Sequence, residues 1–407
     1  MCNGCDNDGS TPHANPSSPK PQTMVPEPVE GSALANPSSP DVMPRAVEWA
    51  KTMHGHGSDD VVLAHADTHA RFAPGQTLDR LAREEREAVM LRPGATLAHG
   101  AGNRAIDEEP DAERTCFERD RDRIVHSPAF RRLAGKTQVV VYPTDHQRTR
   151  LTHALEVAQV ATSIARGVGA NVSLTDAIAL GHDCGHGPGG HASEDAFDAF
   201  IPEGYDHGPW GADVVLTDLN LCRETLDGIR NHSWSRPAPG TIEGEIVSWS
   251  DRIAYCAHDL EDAIHARIVS IGDLPPEVAS IAGIGRRAQL GTFIRAVIVT
   301  TNATGQVGMD PETAAALAGL RRFNYERIYT RPDSVAQSHA VVEVLRGLVD
   351  RYVAQPELMP SFYRWDDVTR GAVTYVGGMT DRFAFDQAED LLGWTADRLP
   401  RGIGRGA

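Results

Sequence analysis

Between residue 116 and about residue 270, apolar positions recur every three to four residues, the spacing of helices that bury one face. His153, Val157, Val160 and Ile164 share one such face at offsets of four, seven and eleven, so His153 points inward. In 246–264, Trp249, Ile253, Cys256, Leu260 and Ile264 form an apolar stripe, while Asp251, Tyr255, Asp259 and Asp262 form a separate polar one. The segment Ser173-Leu174-Thr175-Asp176 reads as an N-cap with an acid three residues on, opening a helix over Ala177 to Asp183. Leu78 to Leu91, Val335 to Ala354 and Ala372 to Leu392 are also helical in period, whereas the β-branched run Phe293 to Thr300 reads as a turn or strand-like piece. The chain is therefore expected to be all-α. Its expected organisation is a Pro/Ser-rich disordered tail over 1–45, a mixed segment over 46–115 and a helical core over 116–270. A helical C-terminal region over 271–395 and a flexible tail over 396–407 complete it. The tail contains Ala-Asn-Pro-Ser-Ser-Pro twice, beginning at Ala14 and Ala35.

One segment breaks the amphipathic pattern. Gly181-His182-Asp183-Cys184-Gly185-His186-Gly187-Pro188-Gly189-Gly190-His191 sets three imidazoles and a carboxylate at the end of an apolar helix. A single histidine there serves as well as a cap for helix carbonyls. A cap needs one donor, however, and this run supplies four titratable groups, with His186 one turn beyond His182 on the same face. His182 and Asp183 can offer a nitrogen and an oxygen to one divalent cation, which points to metal-assisted hydrolysis. Such a site needs a further imidazole and a further carboxylate, and His153 and the polar stripe beginning at Asp251 fit that need. The acidic stripe has an ordinary alternative as solvated surface; Tyr255 within it favours a lined cleft.

Charge sharpens this picture. The 407-residue chain carries a formal net charge of −17, which argues against a general nucleic-acid-binding surface. Between Arg119 and Arg150, by contrast, lie eight Lys or Arg residues and only three acids. Arg119 to Arg123 alternate with Asp, as ion pairs on an exposed helix do. Arg150 sits one turn from His153 and can present bidentate donors to phosphate. Six dispersed cysteines suggest reduced thiols; Cys2-Asn3-Gly4-Cys5 has zinc-like spacing but no second pair. No apolar run of membrane-spanning length and no secretory pattern is visible, so no membrane association and a cytoplasmic location are expected.

These residues together resemble the HD-domain metal-dependent phosphohydrolases, whose ligand order His…His-Asp…Asp is matched by His153, His182, Asp183 and Asp251. Within them the chain is most similar to the deoxynucleoside triphosphate triphosphohydrolases, or dGTPase-like proteins. The similarity runs through Arg119 to Ser127, Phe130 to Leu133, Lys136 to Val139, Arg148 to His153 and Asp251 to Asp262, and more weakly to Gly378-Met379-Thr380-Asp381-Arg382. It implies an HD-type helical fold with a helical C-terminal extension and one divalent metal, Mn, Mg or Fe, held by the tetrad. It also implies phosphate contacts at Arg150, Arg252 and His207, deoxyribose contacts at Gln138, Tyr255 and Asp259, a catalytic pair His191 and Glu194, and His186 against the α-phosphate. The implied reaction splits a dNTP, dGTP among them, to deoxynucleoside and inorganic triphosphate. Other HD-type activities, a monophosphatase or phosphodiesterase, and a non-catalytic nucleotide sensor are the alternatives. The resemblance further implies a homo-oligomer and leaves room for a nucleotide or single-stranded DNA regulator. Where the family commonly has His-Asp-Leu-Gly-His-Pro-Pro-Phe-Gly-His, Cys184, Gly187 and Gly189 replace Leu, the first Pro and Phe. Losing Phe at 189 removes a hydrophobic anchor and gives the loop freer backbone dihedrals.

Overall fold

A computed structural model describes residues 43–57, 60–139 and 147–401. The Cys2/Cys5 pair, with residues 1–42 and 402–407 of the two predicted tails, lies outside the described residues. The chain divides after Gln76. In the N-terminal unit, helix α1 (Pro44–Ala50) precedes an antiparallel pair of two-residue strands, β1 (His56–Gly57) and β2 (Val62–Leu63).

From Thr77 onward the described fold is all-α. The helices are α2 (Arg80–Met90), α3 (Cys116–His126), α4 (Pro128–Arg132), α5 (Arg150–Val168), α6 (Val172–Gly181), α7 (His191–Phe197) and α8 (His207–Trp210). They continue as α9 (Arg223–Arg230), α10 (Ile242–His265), α11 (Pro276–Ala282), α12 (Arg286–Thr304), α13 (Pro311–Asn324), α14 (Pro332–Ala354), α15 (Val368–Gly377) and α16 (Asp381–Leu392).

Two apolar cores organise these helices. In the first, α5 packs on α6 and α10 and α3 packs on α6, so that Val157, Val160, Ile164, Ile178, Ile246 and Ile253 are fully buried. The inward face expected of His153 is the face α5 buries. In the second, α14, α15 and α16 enclose Val344, Leu345, Leu348, Val373, Val376 and Phe385. Helix α7 belongs to this second core through Ala192, Ala196 and Phe197. The loop between α6 and α7 therefore leaves one core and enters the other, and it is the loop that holds the histidine cluster.

Three local expectations are corrected. Phe293 to Thr300 is helical, within α12, because Phe293, Ala296, Val297 and Thr301 bury at helical spacing and packing overrides β-branched preference. The α6 cap is Asn171, not Ser173: its side chain accepts from the amides of Ser173 and Leu174. Ala372 to Leu392 is interrupted, α15 stopping at Gly377 and α16 starting at Asp381.

The polar stretch before α3 is anchored by a buried pair. Arg104 donates to Asp120 Oδ1 at 2.6 Å, and Asp120 Oδ2 accepts from the Cys222 amide at 2.8 Å and the Thr225 hydroxyl at 2.6 Å. Asp120→Ala removes the fully buried one of Arg104's two carboxylate partners, Glu108 being the other at 2.9 Å, and leaves the Cys222 amide and Thr225 hydroxyl unpaired, so it is expected to cost about 3 kcal/mol in denaturant unfolding. Arg104→Met with Asp120→Leu should recover part of that loss. An Asp120→Ala variant within 1 kcal/mol of wild type contradicts the account.

Candidate metal centre and active site

The metal-type residues arrive from three helices. His153 lies in the first turn of α5 and Asp251 in the middle of α10; His182 is the residue that ends α6, with Asp183 following. His182 Nδ1 lies 2.6 Å from the Ala179 carbonyl, which can only accept, so Nδ1 carries the proton and Nε2 offers the lone pair. Nε2 is buried without a hydrogen-bond partner, 3.4 Å from Asp183 Oδ1 and 3.7 Å from Asp251 Oδ1. His153 Nε2 lies 3.0 Å from Asp251 Oδ1 and 3.9 Å from Asp183 Oδ2. His153, His182 and Asp251 thus bring ligand atoms within 4.8 Å of one another, and Asp183 Oδ1 stands beside His182 Nε2, so this His/Asp cluster could hold a divalent cation. The set offers imidazole and carboxylate donors and no thiolate.

The electrostatics agree. Burial raises the Asp183 carboxyl, but the adjoining Arg150 guanidinium, donating to Oδ2 at 2.7 Å, together with His182 and His186, holds it well below the usual carboxylate range. Burial opposes charge on His153, yet its bond to Asp251 and the nearby carboxylates raise its pKa, so a cation entering the site displaces a proton from it.

A second constellation lies beside the first. The chain turns after His182, so His186 does not continue the α6 face as expected; its Nε2 instead lies 3.3 Å from Asp183 Oδ1 and its ring stacks on His207 at 3.7 Å. Burial and Arg150 keep His186 neutral. His191 opens α7 and its Nδ1 lies 2.8 Å from Glu194 Oε2, the spacing expected within one turn. The other Glu194 oxygen accepts from His207 Nδ1 at 2.7 Å, and His207 Nε2 lies 3.0 Å from Nε2 of His232. His232 Nδ1 in turn donates to the Ile229 carbonyl at 2.8 Å, and burial lowers its pKa to about 3, so its Nε2 accepts. Both ring nitrogens of His207 therefore donate. Burial disfavours that charge, but Glu194 outweighs it and the His207 pKa is raised. Burial lifts Glu194, but His207 and His191 hold it far below the ordinary carboxylate range. His207 is thus a buried cation engaged by Glu194 and His232.

The glycines shape this loop. Gly190 has φ +65°, and a Cβ there would lie 2.6 Å from Arg150 Nη2; Gly189 has φ +72°, with Val341 Cγ1 2.4 Å from the position of a Cβ. Gly189 uses the backbone freedom expected of it, its positive φ, and its amide donates to Asp381 Oδ1 at 2.8 Å.

His153, Asp183, His186, His191, His207, Asp251, Arg150, Arg252, Gln138, Tyr255 and Asp259 all line one cavity of about 400 Å³. That is the size of a small-molecule pocket. His182 and Glu194 stand behind its wall. Arg252 stacks 3.4 Å over Trp234, with Nε buried and unpartnered. At the far end, Tyr255 accepts from Arg321 at 2.8 Å and Asp259 Oδ2 from the Tyr329 hydroxyl at 2.5 Å, leaving Asp259 Oδ1 and Gln138 Oε1 buried and unpaired. Arg148 is consumed by Glu156, Glu261 and Asp262, and Arg121 and Arg123 by Asp176 and Glu108. His232, Trp234 and Arg321 also line the cavity and carried no sequence signal.

Burial raises the Asp259 carboxyl to about 7 against the opposing Tyr329 bond. Its folded value exceeds its unfolded one, so its stabilising contribution is complete below about pH 4 and is lost as pH rises through about 7. Asp259→Asn lacks this titration. In metal-free protein the variant should gain on wild type by up to about 4 kcal/mol between pH 4 and 8 in denaturant melts, and parallel curves refute the assignment.

Residues 150–256 match the HD domain and residues 307–390 the phosphohydrolase-associated domain. A deoxyguanosinetriphosphate triphosphohydrolase-like protein of Caldanaerobacter subterraneus subsp. tengcongensis is 40% identical over 76% of this chain and 94% of its own length. One of Clostridium perfringens is 37% identical over 75% and 94%, and one of a Jannaschia species 34% over 72% and 93%. Among the described residues no helix is long and apolar enough to cross a membrane. With the HD domain seated on the helices that gather His153, His182, Asp183 and Asp251, the chain belongs to the deoxyguanosinetriphosphate triphosphohydrolase-like family of HD-domain phosphohydrolases.

Proposed function

We propose that this protein hydrolyses deoxynucleoside triphosphates, dGTP among them, to deoxynucleoside and inorganic triphosphate. The observation that carries the reading is the cavity itself: it joins the cation-type donor set to the guanidinium groups of Arg150 and Arg252, a histidine relay and a polar far end at Gln138, Tyr255 and Asp259. The names of the relatives point the same way.

A divalent cation, when bound by His153, His182, Asp183 and Asp251, supplies Lewis acidity toward a phosphoryl oxygen and acidifies bound water. The chain's own residues do the rest. Arg150 and Arg252 neutralise phosphate oxygens; Arg150 has Nε and Nη2 buried and unpaired beyond its bond to Asp183. Neutral His186 lies where it can contact the α-phosphate. Water attacks the α-phosphorus and the bond to O5′ breaks, leaving an alkoxide that needs a proton. His191, held through Nδ1 by Glu194, presents Nε2 to the cavity as its donor. Gln138, Tyr255 and Asp259 enclose the deoxyribose and leave no room for a 2′-hydroxyl.

The test resolves products from all four dNTPs and GTP with Mn²⁺ and Mg²⁺. Triphosphate as the phosphorus product and a preference for dGTP over GTP on the order of 10²-fold in kcat/KM support the reading. Release of pyrophosphate or phosphate refutes the reaction. Equal kcat/KM for GTP and dGTP refutes the sugar pocket.

A further inference from the structure

The two ends of this cavity are carried by segments far apart in sequence, and one buried carboxylate touches both. Asp381, the first residue of α16, is 5% exposed. Its Oδ2 accepts from the Thr137 amide at 2.9 Å and the Thr137 hydroxyl at 2.5 Å; its Oδ1 accepts from the Gly189 amide at 2.8 Å. Thr137 directly precedes Gln138 and pairs as an antiparallel bridge with Thr149, next to Arg150. Gly189 lies two residues before His191. Lys136 adds a parallel link, its buried ammonium donating to the His186 carbonyl and, at 2.8 Å, to that of Gly377. Hydrogen bonds to an ionised acceptor are the stronger kind, and three donors on one buried carboxylate leave it little freedom.

We propose that Asp381 is a positioning residue: by holding Thr137 with one oxygen and Gly189 with the other, it sets the separation between the sugar-binding end at Gln138 and the proton-donating end at His191. Asp381 thereby acts on catalysis without lining the substrate cavity, unlike other residues of the phosphohydrolase-associated domain such as Arg321 and Tyr329. This inference rests on the roles given above to Gln138 and His191. A bound nucleotide spans the two ends, so a shift of either by about 1 Å misaligns sugar and leaving oxygen together, a change that costs roughly 10² in rate.

Asparagine at 381 can accept through one oxygen only, and its amide hydrogens face the donors on the other side. Asp381→Asn should lower kcat roughly 10- to 100-fold and shrink the preference for dGTP over GTP severalfold, with metal content unchanged. Thr137→Val, which removes one of the three bonds, should fall between wild type and Asp381→Asn, and Thr137→Ser should restore the hydroxyl and recover most of the loss. A merely structural carboxylate predicts a lower melting temperature with kcat per folded molecule and the dGTP/GTP ratio unmoved, and that result overturns the proposal. Amide hydrogen exchange separates this failure from failure of the proposed reaction. If wild type hydrolyses no dNTP, the reaction is wrong, and the strap is then decided by exchange alone: lost protection at Thr137 or Gly189 in Asp381→Asn supports it, and unchanged protection at both overturns it.

Discussion

Asp183→Asn is expected to yield a folded protein that holds no divalent cation and turns over dNTP at least about 10³-fold more slowly. Removing a group that merely supports a metal ligand already costs about 10- to 100-fold, and Asp183 is placed to be a ligand itself. Its Oδ1 faces His182 Nε2 while its Oδ2 is occupied by Arg150, so no second oxygen is free to compensate. Alanine is the harsher change. It would strand the Arg150 guanidinium, which is 2% exposed, without its counterion, at a cost of about 3–5 kcal/mol in stability. Asparagine keeps the volume, so its loss of metal reports on ligation rather than unfolding. Elemental analysis should find close to one equivalent in wild type and almost none in Asp183→Asn or His182→Ala. Chelation of the wild type should lower its melting temperature, since a cation that binds only the folded state stabilises it by mass action. Unchanged stoichiometry in both variants overturns the assignment.

What the sequence disclosed of this site follows from what was local or periodic. His182 and Asp183 are adjacent, and His153 and Asp251 sit on helices whose inward faces can be counted off at three to four residues. The Arg119 to Arg123 run was legible as charge, but its partners were not: Asp120 is buried against Arg104, and Arg121 and Arg123 pair with Asp176 and Glu108. Nor was the relay behind His191. Glu194 meets His207 across 13 residues and His207 meets His232 across 25, through turns that no periodicity describes. The resemblance gave His207 a phosphate role; that Glu194 and His232 engage both its nitrogens depends on tertiary packing. Asp381 is more distant still, 192 residues from the amide it holds in the glycine loop. The loop substitution at Gly189 could be read for what it removed. That its amide donates to Asp381, on a distant helix, depends on tertiary packing. The strand-like reading of Phe293 to Thr300 failed because residue preference is weak against burial at helical spacing.

The shared Glu194 carboxylate makes the second large effect more specific than a lone acid–base pair would. Supplying a proton to the departing 5′-oxygen is worth about 10² to 10⁴ in rate, so His191→Ala should lose kcat by that factor while metal content and nucleotide affinity persist. His191 stands at the cavity mouth, its side chain 74% exposed, and its removal disturbs little packing. Glu194→Gln retains shape but removes the charge paired with the buried His207 and the carboxylate oxygen bonded to His191 Nδ1. It should therefore lose at least as much kcat as His191→Ala and also lower the melting temperature, because a buried imidazolium without its counterion is costly. Without that charge the His207 pKa falls, so His207 should lose its proton at a lower pH in Glu194→Gln than in wild type, a shift that histidine NMR titration reads directly. The double variant His191→Ala/Glu194→Gln should be little slower than the slower single variant if the two act on one proton transfer. Multiplicative losses would separate them. If His191→Ala keeps near wild-type turnover while His186→Ala abolishes it with metal and nucleotide still bound, the proton comes from His186 and the two roles must be exchanged.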